Sequence, residues 1–220
     1  MNYTDLLNYL FEQKDENFAS FSKRLSNSVY ESIGVKTPVL RRLIKELKDD
    51  EELKLEDFEH RKYLEIDSIY FGVGLLRCDD IDEQLDFLKS NLQYASSWAI
   101  TDTLSNYMKK CSFDKFWEFF LLTYKSKHVY TRRFAYVFAL QYSHDERIIK
   151  ILAYIRQNED YMVMMGEAWL LSFMAIDFGD EVFTYLQNSG DLALKRKTIS
   201  KICDSFRFDE SEKNRFKSLR

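Results

Sequence analysis

The scarcity of turn-forming residues constrains the fold of this chain more than any other feature of its sequence. Proline occurs once, at Pro38, and glycine six times in 220 residues. These two residues dominate the tight turns that a β-rich protein needs between its strands. A β-sandwich or barrel of this length would therefore need many more of them. We predict an all-α fold whose helices are joined by short polar loops.

Apolar residues recur at intervals of three and four along most of the chain, which indicates amphipathic helices. The first such group is Leu6, Leu7, Leu10 and Phe11. Further helices are predicted over residues 18–33, 39–47, 59–76, 82–91, 97–110, 113–124, 130–142, 145–157, 161–178, 180–188 and 192–206. Gly34 is expected to end the helix over 18–33, and Thr37 with Pro38 to open the next. The charged tail, 209–220, is expected to be a frayed helix.

Three large side chains recur at a spacing that suggests a repeat. Trp98 and Arg133 are separated by 35 residues, and Arg133 and Trp169 by 36. A helix pair takes roughly 35 to 45 residues in HEAT-like and related repeats. We interpret residues 1–220 as one domain, a right-handed superhelical solenoid of HEAT-like (ARM-type) helix pairs. Its concave face would bind an extended partner; alternatively, the equal spacing is a chance feature of a long helical chain.

Several classes of protein are excluded by missing patterns. Cys78, Cys111 and Cys203 are far apart, which fits neither a disulfide framework nor a zinc site. No apolar run approaches the roughly 18 residues of a membrane span. The N-terminal residues lack the pattern of a secretory signal, so we expect a cytoplasmic protein. Phosphate-binding loops, dinucleotide fingerprints and hydrolase nucleophile motifs are not found, so no cofactor or metal is expected.

Charge is unevenly distributed along the chain. The net charge is −4, and residues 46–59 are strongly acidic. Basic clusters occur at Arg132–Arg133 and at 195–197. A basic stripe on an acidic body would bind phosphates in a salt-dependent way. The alternative for the arginine pair is a structural salt bridge.

Trp98 and Asp102 lie four residues apart and would share one face of a helix. An indole and a carboxylate side by side can stabilise a positive charge, by cation–π and by Coulomb attraction. Taken alone, the pair is better explained as a core tryptophan beside a surface aspartate. Trp169 alone is also explained by core packing.

Five segments together carry a family resemblance. They are GVKTPVLRRLIKEL, SWAITDTLS, YTRRFAYVFALQY, AWLLSF and LKRKTISKI, in that order from residue 34 to residue 202. The chain resembles the AlkD family of HEAT-like repeat DNA glycosylases, which act in DNA alkylation repair. The resemblance covers roughly residues 15–205.

This resemblance implies hydrolysis of the N-glycosidic bond of cationic alkylpurines, such as 3-methyladenine and 7-methylguanine, in duplex DNA. Asp102 would be the catalytic carboxylate, and Trp98 and Trp169 would flank the deoxyribose of the lesion. The partner would be duplex DNA, with no membrane, and we expect a monomer without metal or cofactor. The basic residues implied in DNA contact are Arg133, Arg132, Lys36, Arg41, Lys195, Arg196 and Lys197.

Three departures from the family pattern leave alternatives open. Residues 24–33 read RLSNSVYESI, where the family carries an aromatic and basic helix. Ser97 stands where many members have a further tryptophan, and Ser172–Phe173 where an Arg-Glu pair is common. One alternative is a catalytically weak or inactive paralogue with weak or structure-selective DNA binding. Another is a HEAT-like scaffold whose groove takes a peptide.

Overall fold

A computed structural model describes residues 1–58, 61–155 and 159–220. Regular structure within these ranges is helical, apart from an isolated bridge between Glu31 and Tyr63. The predicted all-α class is thereby confirmed. The chain divides into two compact units, residues 1–111 and 112–220, which are described separately.

Unit 1 is organised around one helix, most of whose residues are buried. Its α-helices are α1 (Tyr3–Glu12), α2 (Glu16–Ser26), α3 (Thr37–Leu47), α4 (Leu64–Arg77), α5 (Ile81–Asn91) and α6 (Trp98–Leu104). Short 3-10 helices cover Leu55–Phe58 and Leu92–Tyr94. α4 packs against α3, α5 and α6, and its buried residues include the two carboxyl groups of Glu65 and Asp67. A Cβ at Gly72 would lie 2.7 Å from the Ile44 side chain, so this glycine lets α3 and α4 approach closely.

Unit 2 is also built from helices that pack side by side. Its α-helices are α7 (Phe113–Thr123), α8 (Val129–Ala139), α9 (Tyr161–Met174), α10 (Gly179–Asn188), α11 (Leu192–Asp204) and α12 (Glu210–Lys217). Further 3-10 helices cover Leu140–Tyr142 and Glu146–Tyr154. α8 packs on α7 and α9, and α11 packs on α9 and α12. Fully buried phenylalanines fill the space between α7 and α8: Phe116, Phe119, Phe120, Phe134 and Phe138.

The helix predicted over residues 18–33 ends early, at Ser26, and the role predicted for Gly34 is wrong. Asn27 ends the helix in a left-handed conformation, with φ of +50°. The hydroxyl of Ser26 then accepts from the backbone N–H of Ser28, and short polar side chains that bond locally compete with helix continuation. Gly34, with φ of +96°, lies in the loop that follows, where a Cβ would be 2.1 Å from the carbonyl oxygen of Asp15.

Several other helices are shorter than predicted. The helix expected over 161–178 ends at Met174. The helix expected over 59–76 begins at Leu64, its first two predicted residues lying outside the described ranges. The helix expected over 97–110 ends at Leu104. Gln84, buried on α5, explains this end because its amide donates to the Tyr107 carbonyl and accepts from the Lys109 N–H.

The segment predicted as a helix over 145–157 forms a 3-10 helix instead, over Glu146–Tyr154, with residues 156–157 outside the described ranges. The tail is not frayed. Asp209 and Glu212 form a reciprocal capping box at the start of α12. Phe216, only 2% exposed, packs against Phe183 and Phe208 and holds α12 on the unit.

None of the helices within the described ranges combines the length and the hydrophobicity needed to cross a lipid bilayer.

Candidate functional site

Trp98 and Asp102 lie on α6 in the relationship that their spacing predicts. The hydroxyl of Ser97 accepts from the backbone N–H of Ala99 and caps the helix, so Trp98 is its first residue and Asp102 lies one turn later. Both side chains are half-buried. The indole N–H of Trp98 donates to the carbonyl of Leu25, in the last turn of α2, at 3.1 Å. The indole is therefore held at the point where α2 ends.

A buried carboxyl group on α4 holds the residues at the start of α6. Asp67 is fully buried and accepts from the backbone N–H of Ser96 at 2.9 Å. Its other oxygen lies 3.1 Å from Nε of Arg61, whose guanidinium stacks over the ring of Tyr70 at 4.0 Å. Burial raises the pKa of the Asp67 carboxyl, against the opposing effects of Ser96 and Arg61. These contacts set the position of Trp98 relative to α4.

Glu65 organises the loop that leads into α3. Its side chain is almost fully buried and accepts from the Ser32 hydroxyl and from the backbone N–H groups of Ile33, Gly34 and Val35, at 2.8 to 3.3 Å. A carboxylate that accepts several backbone hydrogen bonds orders the segment that supplies them. The loop therefore delivers Lys36 and the start of α3 in a defined position. Sequence reasoning overlooked Glu65, although a charged residue in the apolar run LEIDSIYFGVGLL was the available signal.

The predicted DNA-binding residues of unit 1 lie at and after this loop. The side chain of Lys36 is 66% exposed and its Nζ is 3.6 Å from a carboxylate oxygen of Asp15. Arg41 is exposed on α3 and borders a cavity of about 110 Å³, which Thr103 and Tyr107 also line. Burial raises the pKa of the Tyr107 phenol, and the charge of Arg41 opposes that rise. The structure thus places Arg41 beside the helix that carries Asp102.

In unit 2, the two arginines of α8 donate hydrogen bonds to the segments where α8 and α9 begin. Arg133 is 6% exposed and its Nη1 donates to the carbonyl of Met162, in the first turn of α9, at 2.6 Å. Arg132 donates from Nη1 to the carbonyl of Ser126 and from Nη2 to Glu159. The salt bridge considered for this pair is found for Arg132, with both partners 11% exposed.

Trp169 lies half-buried on α9 and lines an open cleft of about 480 Å³. The cleft is formed by α9, by the C-terminal part of α11 and by the loop that follows it. Nζ of Lys201, on α11, lies 5.9 Å from the centroid of the Trp169 ring. The predicted cations of α11 are partly or fully accessible: Lys195, Arg196 and Lys197.

The structure thus assembles the predicted residues as two groups. In unit 1, Trp98 and Asp102 share a helix whose neighbour carries Arg41. In unit 2, α9 carries Trp169 and packs against α8, with its arginines, and α11, with its basic cluster. Sequence reasoning missed Phe206 and Arg207, which line the cleft beside Trp169. Phe206 was predicted as the last residue of the helix over 192–206, whereas α11 ends at Asp204 and leaves Phe206 in the loop that follows.

Comparison with known proteins gave two matches of interest. A family model described as DNA alkylation repair enzyme matches residues 5–201. A solved structure, described as a predicted DNA alkylation repair enzyme from Enterococcus faecalis, superposes with a TM-score of 0.66. The superposition covers 88% of this chain and 98% of the other, at 16% sequence identity, which shows a shared fold. No curated protein matches the chain.

Proposed function

This chain belongs to the DNA alkylation repair enzyme family, and on that premise we propose that it hydrolyses the N-glycosidic bond of cationic alkylpurines in duplex DNA. The observation that carries the proposal is the pairing of Trp98 and Asp102 on α6, with the indole anchored to the end of α2. The five segments between residues 34 and 202 that resemble the AlkD branch of the family support this assignment. The substrates proposed are 3-methyladenine and 7-methylguanine.

The chemistry asks little of the protein beyond a well-placed negative charge. A purine alkylated at N3 or N7 already carries a positive charge, so it departs without a general acid. The bond from C1′ to the purine nitrogen breaks, and its electron pair neutralises the purine. The sugar becomes oxocarbenium-like, as in other glycoside hydrolyses. The Asp102 carboxylate stabilises that charge, and the face of Trp98 adds cation–π attraction.

Water then completes the reaction. Its oxygen attacks C1′, and the carboxylate of Asp102 orients it and accepts the proton that it loses. In this proposal Trp169 contacts the deoxyribose of the lesion through its exposed face. No step requires the base to enter a pocket, because the alkylated purine already carries the positive charge that makes it a leaving group.

Phosphate binding is proposed for the basic residues of both units. The exposure of Lys36 and Arg41 and the position of Arg41 beside α6 support their role. Lys195, Arg196 and Lys197 on α11 would add a second group of contacts. Arg133 and Arg132 already donate to backbone carbonyls, so their proposed contribution is to position the helices α8 and α9 as well as to bind phosphate.

A second candidate function is DNA binding without excision. The early end of α2 favours it, because residues 27–33 form a loop where the family resemblance implies a helix that contacts DNA. Such a protein would keep the Trp98–Asp102 pair and bind DNA weakly or according to its structure. The third reading, a peptide-binding scaffold, would bind DNA no more tightly than other anions.

The test is single-turnover release of 7-methylguanine and 3-methyladenine from methylated duplex DNA. Wild-type protein should release both bases, and Asp102→Asn should slow release by about a hundredfold or more, since it removes the charge that stabilises the transition state. Asp86→Asn, on the exposed face of α5, is the matched control and should retain the wild-type rate. Equal rates for wild type and Asp102→Asn would refute the catalytic role. Binding without release by the wild type would establish the second candidate.

A further inference from the structure

The cleft of unit 2 carries a fully exposed aromatic side chain on an ordered turn. Phe206, directly after α11, has a relative exposure of 103%. The turn is held on both sides, since the N–H of Ser205 donates to Ile202 and its hydroxyl accepts from the N–H of Arg207. Two residues after Phe206, Phe208 is buried against Phe216. An apolar ring held in contact with water lacks the stabilisation of burial, and exposed apolar groups of this kind often mark binding sites.

Two cations accompany aromatic rings in the same cleft. The guanidinium of Arg207 lies 4.7 Å from the ring centroid of Phe173, and Nζ of Lys201 lies 5.9 Å from that of Trp169. Trp169 and Phe173 meet edge to face at 6.3 Å. One carboxylate, Asp204, also faces the cleft, so the two cations leave it positive overall. At about 480 Å³, the cleft falls within the size range of small-ligand sites.

We propose that this cleft binds one unpaired nucleotide of a DNA strand, with the base stacked on Phe206 and the phosphate held by Lys201 and Arg207. Aromatic rings with flanking cations are the combination by which proteins hold single strands, because every base has a π-face and every linkage a charge. A base within an intact duplex is stacked on both faces, so only an unpaired base can use Phe206. The nucleic acid as ligand class rests on the proposed function; the unpaired nucleotide goes beyond it.

The experiment compares two fluorescein-labelled strands of about ten nucleotides, one of thymidine and one of abasic residues, by fluorescence anisotropy. Both strands have the same phosphates, so their difference in affinity reports contacts to bases. Wild type should bind the thymidine strand about tenfold more tightly, and Phe206→Ala should bring the two affinities to within about twofold, since removal of one stacking ring lowers affinity by that order. Tyr161→Ala, a matched variant of an exposed aromatic at the start of α9, should keep the preference.

A second variant tests the phosphate contact. Arg207→Gln should weaken the binding of both strands alike and reduce the slope of log affinity against log salt by about 0.7. Circular dichroism would establish that each variant is folded. The proposal is overturned if wild type binds the two strands equally, or if Phe206→Ala keeps the full preference. Because this assay needs no excision, a preference that depends on Phe206 would stand even in a protein that releases no methylated base.

Discussion

The carboxylate of Glu65 accepts a hydrogen bond from the backbone N–H of Gly34 at 2.8 Å, and this bond ties the first turn of α4 to the loop that leads into α3. Three further donors, from Ser32, Ile33 and Val35, converge on the same carboxylate. Gly34 has a positive φ in this loop, a conformation that glycine adopts without steric cost. The Glu65 carboxylate thus satisfies backbone N–H groups of the loop that have no helical hydrogen-bond partner.

Glu65→Gln should therefore destabilise the protein. The substitution leaves one acceptor oxygen and points an NH₂ group at backbone donors, so the free energy of unfolding should fall by about 2 to 4 kcal/mol. Urea denaturation followed by circular dichroism measures this change. Glu46→Gln, which alters an exposed carboxylate on α3, should change stability by less than about 0.5 kcal/mol. A Glu65→Gln protein as stable as the control would show that the four donors find other partners at no cost.

Arg41→Gln should weaken the binding of duplex DNA and make it less sensitive to salt. Loss of one phosphate contact should lower the slope of log affinity against log salt by about 0.9. The neighbouring residue offers the control, since Arg42 is exposed but lies 3.7 Å from Glu46 and points about 100° further round α3. Arg42→Gln should leave the slope unchanged. If both variants behaved alike, the contribution of Arg41 would be one of net charge alone.

Asp15 should make the stability of α2 dependent on pH. It caps the helix, and the backbone N–H of Phe18 lowers the pKa of its carboxyl, with Lys36 acting in the same direction. A folded-state pKa below the unfolded value adds stability that is fully present above the unfolded pKa, about 3.9, and is lost as the pH falls through the folded pKa.

The measurement is the difference in urea midpoint between wild type and Asp15→Asn, taken at pH 7 and again below pH 3. Asparagine keeps the cap but not the charge, so it isolates the titrating part. Wild type should be the more stable at pH 7, and the difference should shrink towards zero in acid. A difference that is constant across this range would assign the effect to the geometry of the cap rather than to its charge.

Much of the fold follows from periodicity, and the exceptions have identifiable causes. Helices such as α7 and α11 begin where predicted, because strong apolar periodicity and local caps act together. The end of α6 was predicted too late in the chain. The side chain of Gln84, which is distant in sequence, forms hydrogen bonds with the backbone that would have extended the helix. A frayed tail was predicted because most residues of α12 are charged, but burial of the Phe216 ring stabilises this helix on the unit.

The candidate site was only partly accessible to sequence reasoning. The four-residue spacing of Trp98 and Asp102 predicted their shared face, since helix geometry alone decides it. The contacts that position them come from Asp67 and Leu25, which are distant in sequence and were not predicted. The burial of Arg133 against α9 was not predicted either, since its hydrogen-bond partner, the carbonyl of Met162, lies 29 residues further along the chain.

The hydrogen bond from the Trp98 indole to the Leu25 carbonyl gives this side chain a structural role in addition to its proposed role in the reaction. The ring that is proposed to face a developing cation also holds the end of α2. A substitution of Trp98 would therefore change both the cation–π interaction and the position of the end of α2. A ring that keeps its π-face but lacks the N–H, as in Trp98→Phe, would loosen that helix end while leaving an aromatic surface in place. Two requirements therefore restrict substitution at position 98, and a change in the position of the end of α2 would have to be accompanied by a shift of the indole.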